Sequence, residues 1–324
     1  MVVKNIIKRV PVKSNAAIKS RTVRCISSDA KTLTHPIDNS SKVLRHLQFT
    51  KRIDYEKGLA FQEQFVRAQL DMKSLQSTIK QKLIQLEVDH PGSSINAYEK
   101  KILDNILEMK PNPVILTFEF DPVYTGGKRT KKKITQAEIE GYSNFVPEVQ
   151  KSNPKPKFVQ AERGGQVTFH GPGQMVAYII LDLKSFDRFV ARNHVAAIEK
   201  ATVNTLLNTK LKDGKETKLD LTSKINCNTG VWSSDDKKLA SIGVHVRRSI
   251  TSHGVCINVS PDLSYLNTFE MCGLPTSKAS SIASEKPDAD VNVQDVAVSY
   301  VNEFAKLLGI DTVERIELEN LEID

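Results

Sequence analysis

Four short segments hold residues whose types suit nucleophilic chemistry. Glu270-Met271-Cys272-Gly273-Leu274 places a cysteine beside a glycine between polar flanks. Such a thiol is poorly placed for core packing and better placed as a partly exposed nucleophile, reactive as its thiolate. Lys237-Lys238-Leu239-Ala240-Ser241-Ile242-Gly243 sets lysines at the start of an apolar strand. Lys238 there is either an ordinary solvated side chain or a base. Arg163-Gly164-Gly165-Gln166-Val167-Thr168-Phe169-His170-Gly171-Pro172-Gly173-Gln174 gathers four glycines and a proline among polar groups. Glycine permits positive φ and close backbone approach, so such a turn can aim amides at a developing oxyanion. Its spacing is not that of a phosphate-binding loop. Ser252-His253-Gly254-Val255-Cys256-Ile257-Asn258 adds a second thiol. The four cysteines, Cys25, Cys227, Cys256 and Cys272, fit no zinc spacing.

The elements that must position these residues follow from periodicity. Asp54 caps a helix running through Leu59, Phe65 and Met72 toward Leu86, and a short helix spans 98–108. Val114–Phe118 reads as a buried strand. Residues 121–157 read as a long surface excursion with a basic cluster, Lys128-Arg129-Thr130-Lys131-Lys132-Lys133. The cluster is either a solvated loop or a dock for an acidic protein partner. Strands are expected at 167–169, 176–181 and 254–259. A helix is expected over 187–209. Residues 230–233 and 239–246 flank Asp235-Asp236 as a hairpin. A last helix over 293–308 stops at Gly309. Strands mixed with peripheral helices, without strict βαβ alternation, predict an α+β fold.

Charge and composition narrow the setting. The chain has 324 residues and a net charge of +8. Residues 1–28 hold seven basic side chains and no acid, which leaves 39 basic against 38 acidic residues in the rest. A nearly neutral body argues against a nucleic-acid partner. No stretch approaches the roughly 20 apolar residues of a membrane-spanning helix, so no membrane partner is expected. The basic, Ser-containing, acid-free start has the features of a mitochondrial transit peptide, with Arg24-Cys25-Ile26-Ser27-Ser28 as a processing site. Residues 29–50 read as a linker and 51–324 as a single catalytic domain.

Together the four segments resemble the lipoyl(octanoyl) transferases, or octanoyl–acyl-carrier-protein:protein N-octanoyltransferases. The matching residues are Arg163 to Gln174, Lys238 with Ser241-Ile242-Gly243, His253-Gly254 with Asn258, and Cys272-Gly273. Asp54-Tyr55 and Pro122-Val123-Tyr124-Thr125-Gly126 add to these, and the resemblance covers about 50–310. It implies a mixed sheet flanked by helices, like the catalytic domain of biotin and lipoate protein ligases. It also implies that Cys272 takes an octanoyl group from octanoyl acyl carrier protein and that Lys238 activates the thiol. The implied acyl pocket is Arg163, Gly164, Gly165, Gln166, Val167, Thr168, Phe169 and His170, then Ser241, Ile242 and Gly243, then Gly254, Val255 and Cys256. The implied acceptors are lipoyl-domain proteins such as the glycine cleavage H protein and the E2 subunits of 2-oxoacid dehydrogenases. The donor is already activated, so no ATP, metal or other cofactor is expected.

The chain departs from the family pattern in three places. Cys256 stands where relatives commonly have a small residue, Met271 where many have proline, and the charged excursion is longer than in bacterial members. Three rival readings remain at this level: an ATP-dependent lipoate ligase, a lipoyl amidotransferase using a cysteine elsewhere, and a silent carrier-binding module. Lys238 and Cys272 together favour the octanoyltransferase.

Overall fold

The computed structural model describes residues 32–91, 95–212, 216–234, 236–269 and 276–319, and the backbone of 18–25. Cys272 lies outside the described residues. Twelve strands and seven helices occur among them in the order β1 (Ile18–Cys25), β2 (Val43–Phe49), α1 (Tyr55–Asp89), α2 (Ala97–Glu108), β3 (Val114–Phe118), β4 (Val123–Gly126), α3 (Gln136–Ser143), β5 (Lys157–Gln160), β6 (Thr168–His170), β7 (Gln174–Ile180), α4 (Ala191–Asn208), β8 (Val231–Trp232), β9 (Lys237–Arg247), β10 (Ile250–Asn258), α5 (Leu263–Leu266), β11 (Lys278–Ala279), α6 (Ile282–Glu285), α7 (Val293–Leu307) and β12 (Thr312–Leu318).

The main sheet runs β1-β12-β2-β3-β7-β10-β9-β11, with β8 also on β9. It is mixed: β12, β2 and β3 are parallel neighbours, while β3, β7, β10 and β9 are antiparallel. A second sheet, β5-β4-β6, stands beside it. This is the expected α+β class.

The sheet is covered on both faces, and β7 shows how the sequence encodes that. Met175, Ala177 and Ile179 enter one core with Ala197 and Ala201 of α4 and Val296, Tyr300 and Phe304 of α7. Val176, Tyr178 and Ile180 enter the other, with Tyr55 and Val66 of α1. Successive side chains of a strand point to opposite faces, so a strand buried on both reads as a continuous apolar run. α1 begins where Asp54 Oδ1 accepts the Glu56 amide at 2.8 Å. α7 begins with a capping box between Asn292 and Asp295, and Gly309 follows its end at φ 61°.

Three sequence expectations change. Residues 43–49, expected within a linker, form β2 in the middle of the parallel part of the sheet. Its buried His46 and Gln48 hide the apolar pattern, because each finds a side-chain partner inside the fold. His46 Nε2 pairs with Thr117 Oγ1 at 2.8 Å, and Gln48 Nε2 donates to Gln294 Oε1 at 2.6 Å. The catalytic fold therefore begins before residue 51. Residues 123–126, expected on a surface excursion, are the wholly buried β4. Residues 18–25, inside the segment read as a transit peptide, run antiparallel to β12.

Candidate active site

One cavity collects most of the singled-out residues. Its lining includes Arg163, Gly165, Gln166, Val167, Thr168 and His170 from the glycine-rich segment. Lys238, Ser241, Ile242 and Gly243 come from β9, and Gly254, Val255 and Cys256 from β10. Two expected residues stand outside the lining. Phe169 points away and stacks on Tyr265 at 4.3 Å between ring centroids. Gly164 is spent on structure, its amide donating to Val244 O at 3.1 Å. Four lining residues were not assigned to the pocket from sequence: Val176, Tyr178, His253 and Phe269. The alternation of β7 was signal enough for Val176 and Tyr178.

Lys238 reaches the cavity because of a bulge. Between β8 and β9 the register slips by one residue, Val231 facing Ala240 but Trp232 facing Lys238. Strict alternation would send Lys238 the same way as Ala240, into the α4/α7 core. The extra residue re-aims it toward the Ser241 side. Lys238 is buried, and its ammonium lies 5.1 Å from the Trp232 ring centroid, a cation–π distance. Gly230 is required here, since a Cβ would come within 2.6 Å of Lys238 Cε, at φ 128°.

The glycine-rich turn is fixed by Arg163. Its buried guanidinium donates to Gly164 O and Gln166 O, both at 3.0 Å, and to Thr125 O and Oγ1, both at 2.7 Å. These bonds clamp the turn onto β4. Further on, two amides are already used: Gly171 N on Gln174 Oε1 at 2.9 Å and Gly173 N on Glu119 Oε1 at 2.8 Å. They serve structure and not an oxyanion. Gln174 Nε2 donates to Asn258 Oδ1 at 2.8 Å, and Asn258 Nδ2 donates to Ser280 O at 2.8 Å and Lys238 O at 3.4 Å. One amide chain thus joins the turn to the Lys238 backbone and to Ser280, just after β11.

The electrostatics separate the groups. Burial pushes the Cys256 thiol well up, outweighing the pull of Arg163, so it stays a neutral wall residue. Burial, then the Arg163 charge, holds His170 and His253 down to about 3, so both are neutral near pH 7. His253 sits at φ 58°, and its amide donates to Gln62 Oε1 of α1 at 2.5 Å.

Comparisons with known proteins show the family. The lipoyl protein ligase A/B catalytic domain family matches residues 94–305. The mitochondrial octanoyltransferase of Saccharomyces cerevisiae is 57% identical over 305 residues, 93% of each chain. That of Kluyveromyces lactis is 55% identical over 303 residues, 93% of this chain and 90% of the relative. Among solved structures, lipoate-protein ligase A bound with ATP covers 62% of this chain and 74% of its own at 15% identity, with a TM-score of 0.44. The chain belongs to the lipoyl protein ligase A/B catalytic domain family. Within that family it is an octanoyltransferase, an acyltransferase of protein lipoylation located in mitochondria.

Proposed function

We propose that Cys272 carries the octanoyl group as a thioester and that Lys238 handles the protons of both half-reactions. In this reading the lining from Arg163 to His170, Ser241 to Gly243 and Gly254 to Cys256 holds the acyl chain. The donor is an octanoyl acyl carrier protein. The acceptors are lysines of lipoyl-domain proteins, such as the glycine cleavage H protein and 2-oxoacid dehydrogenase E2 subunits. Residues 1–28 direct the chain to mitochondria.

The supporting observation is that the chain is tied beside Lys238 on both sides of Cys272. Phe269 lines the same cavity as Lys238. After Cys272, Ala279 pairs with Lys238 in a parallel bridge, and Ser280 N donates to Lys238 O at 2.8 Å. The described chain on either side of Cys272 therefore borders this site. Cys256, the rival thiol, is held neutral by burial.

The chemistry balances without a co-reactant. Cys272 and Lys238 react as a thiolate–ammonium pair, the thiol's proton held on Lys238, and the thiolate attacks the donor carbonyl. The carbonyl–sulfur bond to the carrier breaks, and the carrier thiolate takes the proton back from Lys238. The acceptor amine then attacks the Cys272 thioester and loses its proton through Lys238. The new amide forms as the Cys272 thiol is restored.

Intact mass after incubation with octanoyl acyl carrier protein should show one octanoyl adduct, absent in Cys272→Ser. An adduct on another thiol in that variant would falsify the assignment. Lys238→Ala should slow acylation by about 10²- to 10⁴-fold with the fold retained. ATP-dependent use of free octanoate would support ligase chemistry instead.

A further inference from the structure

The basic cluster is fastened to the cavity wall. Gly127 N donates to Gln166 O at 3.1 Å, Lys128 N to Arg163 O at 2.9 Å and Arg129 N to Gly165 O at 3.1 Å. The loop therefore extends the glycine-rich turn outward as one unit. Lys128, Arg129, Lys131, Lys132 and Lys133 are all exposed. Glu162 sits among them, 2.8 Å from Lys131 and 3.8 Å from Lys128, and offsets part of that charge. Lys128 Nζ also lies 2.9 Å from His245 Nε2, at the far end of β9 from Lys238.

We infer that the 127–133 loop docks the acidic carrier protein that donates the acyl group, and not the acceptor domain. This rests on the thioester reading given above. Charge complementarity points to an acidic protein surface. The distance along β9 selects between the two partners. His245 is seven residues from Lys238, about 23 Å along an extended strand. An acceptor lysine has only its four-carbon stem, so its domain must sit close to Lys238. A carrier presents its acyl group on a long prosthetic arm and can rest at the distal end of β9 while the thioester reaches the thiol.

The test is the triple variant Arg129→Glu, Lys132→Glu, Lys133→Glu, assayed by acyl-enzyme formation and by full turnover. Its KM for octanoyl carrier protein should rise about tenfold or more, and the salt dependence of that KM should weaken. Acylation by octanoyl-pantetheine, which has no protein body, should be unchanged and reports an intact fold. Three results overturn the docking: an unchanged carrier KM, an equal loss with octanoyl-pantetheine, or a raised KM for the lipoyl domain alone. Absence of a Cys272 adduct in the wild-type protein with octanoyl-pantetheine would instead overturn the thioester reading beneath it.

Discussion

The two faces of the main sheet bury polar groups in opposite ways. Under α4 and α7, His194 and Tyr300 lie in an apolar core. Neither His194 nitrogen nor the Tyr300 hydroxyl has a hydrogen-bond partner among the described residues. Burial alone lowers His194, to about 3. Under α1, buried polar groups surround one guanidinium. His170 and His253 are lowered to a similar value, but Arg163 is a named part of the cause. Both faces hold buried polar atoms without a partner among the described residues, His170 Nδ1 and His253 Nδ1 on the second; on the first face such atoms only cost stability. The cluster on the second face fixes a turn and sets the charge state of a cavity wall.

The largest expected effect breaks that second face. Arg163→Met keeps the apolar stem and removes four hydrogen bonds. Gly164 O and Thr125 O lose this donor while Gln166 O keeps the Gly127 amide, at a cost of about 2 kcal/mol in denaturant unfolding. Loss of the clamp should lower kcat/KM roughly a hundredfold, since small misplacements at a reacting centre carry that penalty. The imidazoles of His170 and His253 should titrate higher by NMR, and that of His194 should not move.

Acid acts on both faces through their buried histidines. A buried histidine with a folded pKa near 3 stays neutral while the unfolded chain, near 6.5, takes up a proton. Its effect is absent above about pH 6.5. As pH falls from there toward 3, the unfolded state binds more protons and stability is lost. Each such residue contributes up to about 1.4 kcal/mol per pH unit. His46, His170, His194 and His253 all share the direction. Unfolding free energy should therefore drop steeply between pH 6 and 4. His194→Met should flatten the curve by one residue's share with turnover kept, and an unchanged slope would sink this account.

The sequence made the candidate site more legible than its scaffold. Glycines, Lys238 and the β10 residues stand out because unusual residue types cluster locally, and most of them line one cavity. What stayed hidden depends on distant partners. β2 was masked because His46 and Gln48 pair with Thr117 and Gln294, far along the chain. The aim of Lys238 depends on a bulge set by β8, and simple alternation sends it into the core. Phe169 belongs to the motif yet packs on Tyr265, because its neighbours on β6 take the cavity side.

Cys256→Ala probes the pocket wall with a milder change. The thiol packs with Val176 and Tyr178 and makes no ionised contribution. Its loss should cost about 1 kcal/mol for the small cavity left behind. Turnover should stay within about twofold, and the octanoyl adduct should appear as in the wild type. A large fall in acylation would mean that the thiol does more than fill space.

The mildest change is on the face covered by α4 and α7. Tyr300 of α7 is fully buried in this core, and its ring lies 6.1 Å from that of Phe304. Burial pushes its hydroxyl well above the usual range, so it stays protonated. Tyr300→Phe removes a hydroxyl that has no partner among the described residues and keeps the ring. A polar group buried without a hydrogen bond costs free energy, so the variant should match the wild type or gain up to about 1 kcal/mol. Its turnover should be unchanged, since the sheet stands between this site and the cavity. A loss of stability in Tyr300→Phe would show that the helix layer does use its polar atoms, and the contrast between the two faces would then disappear.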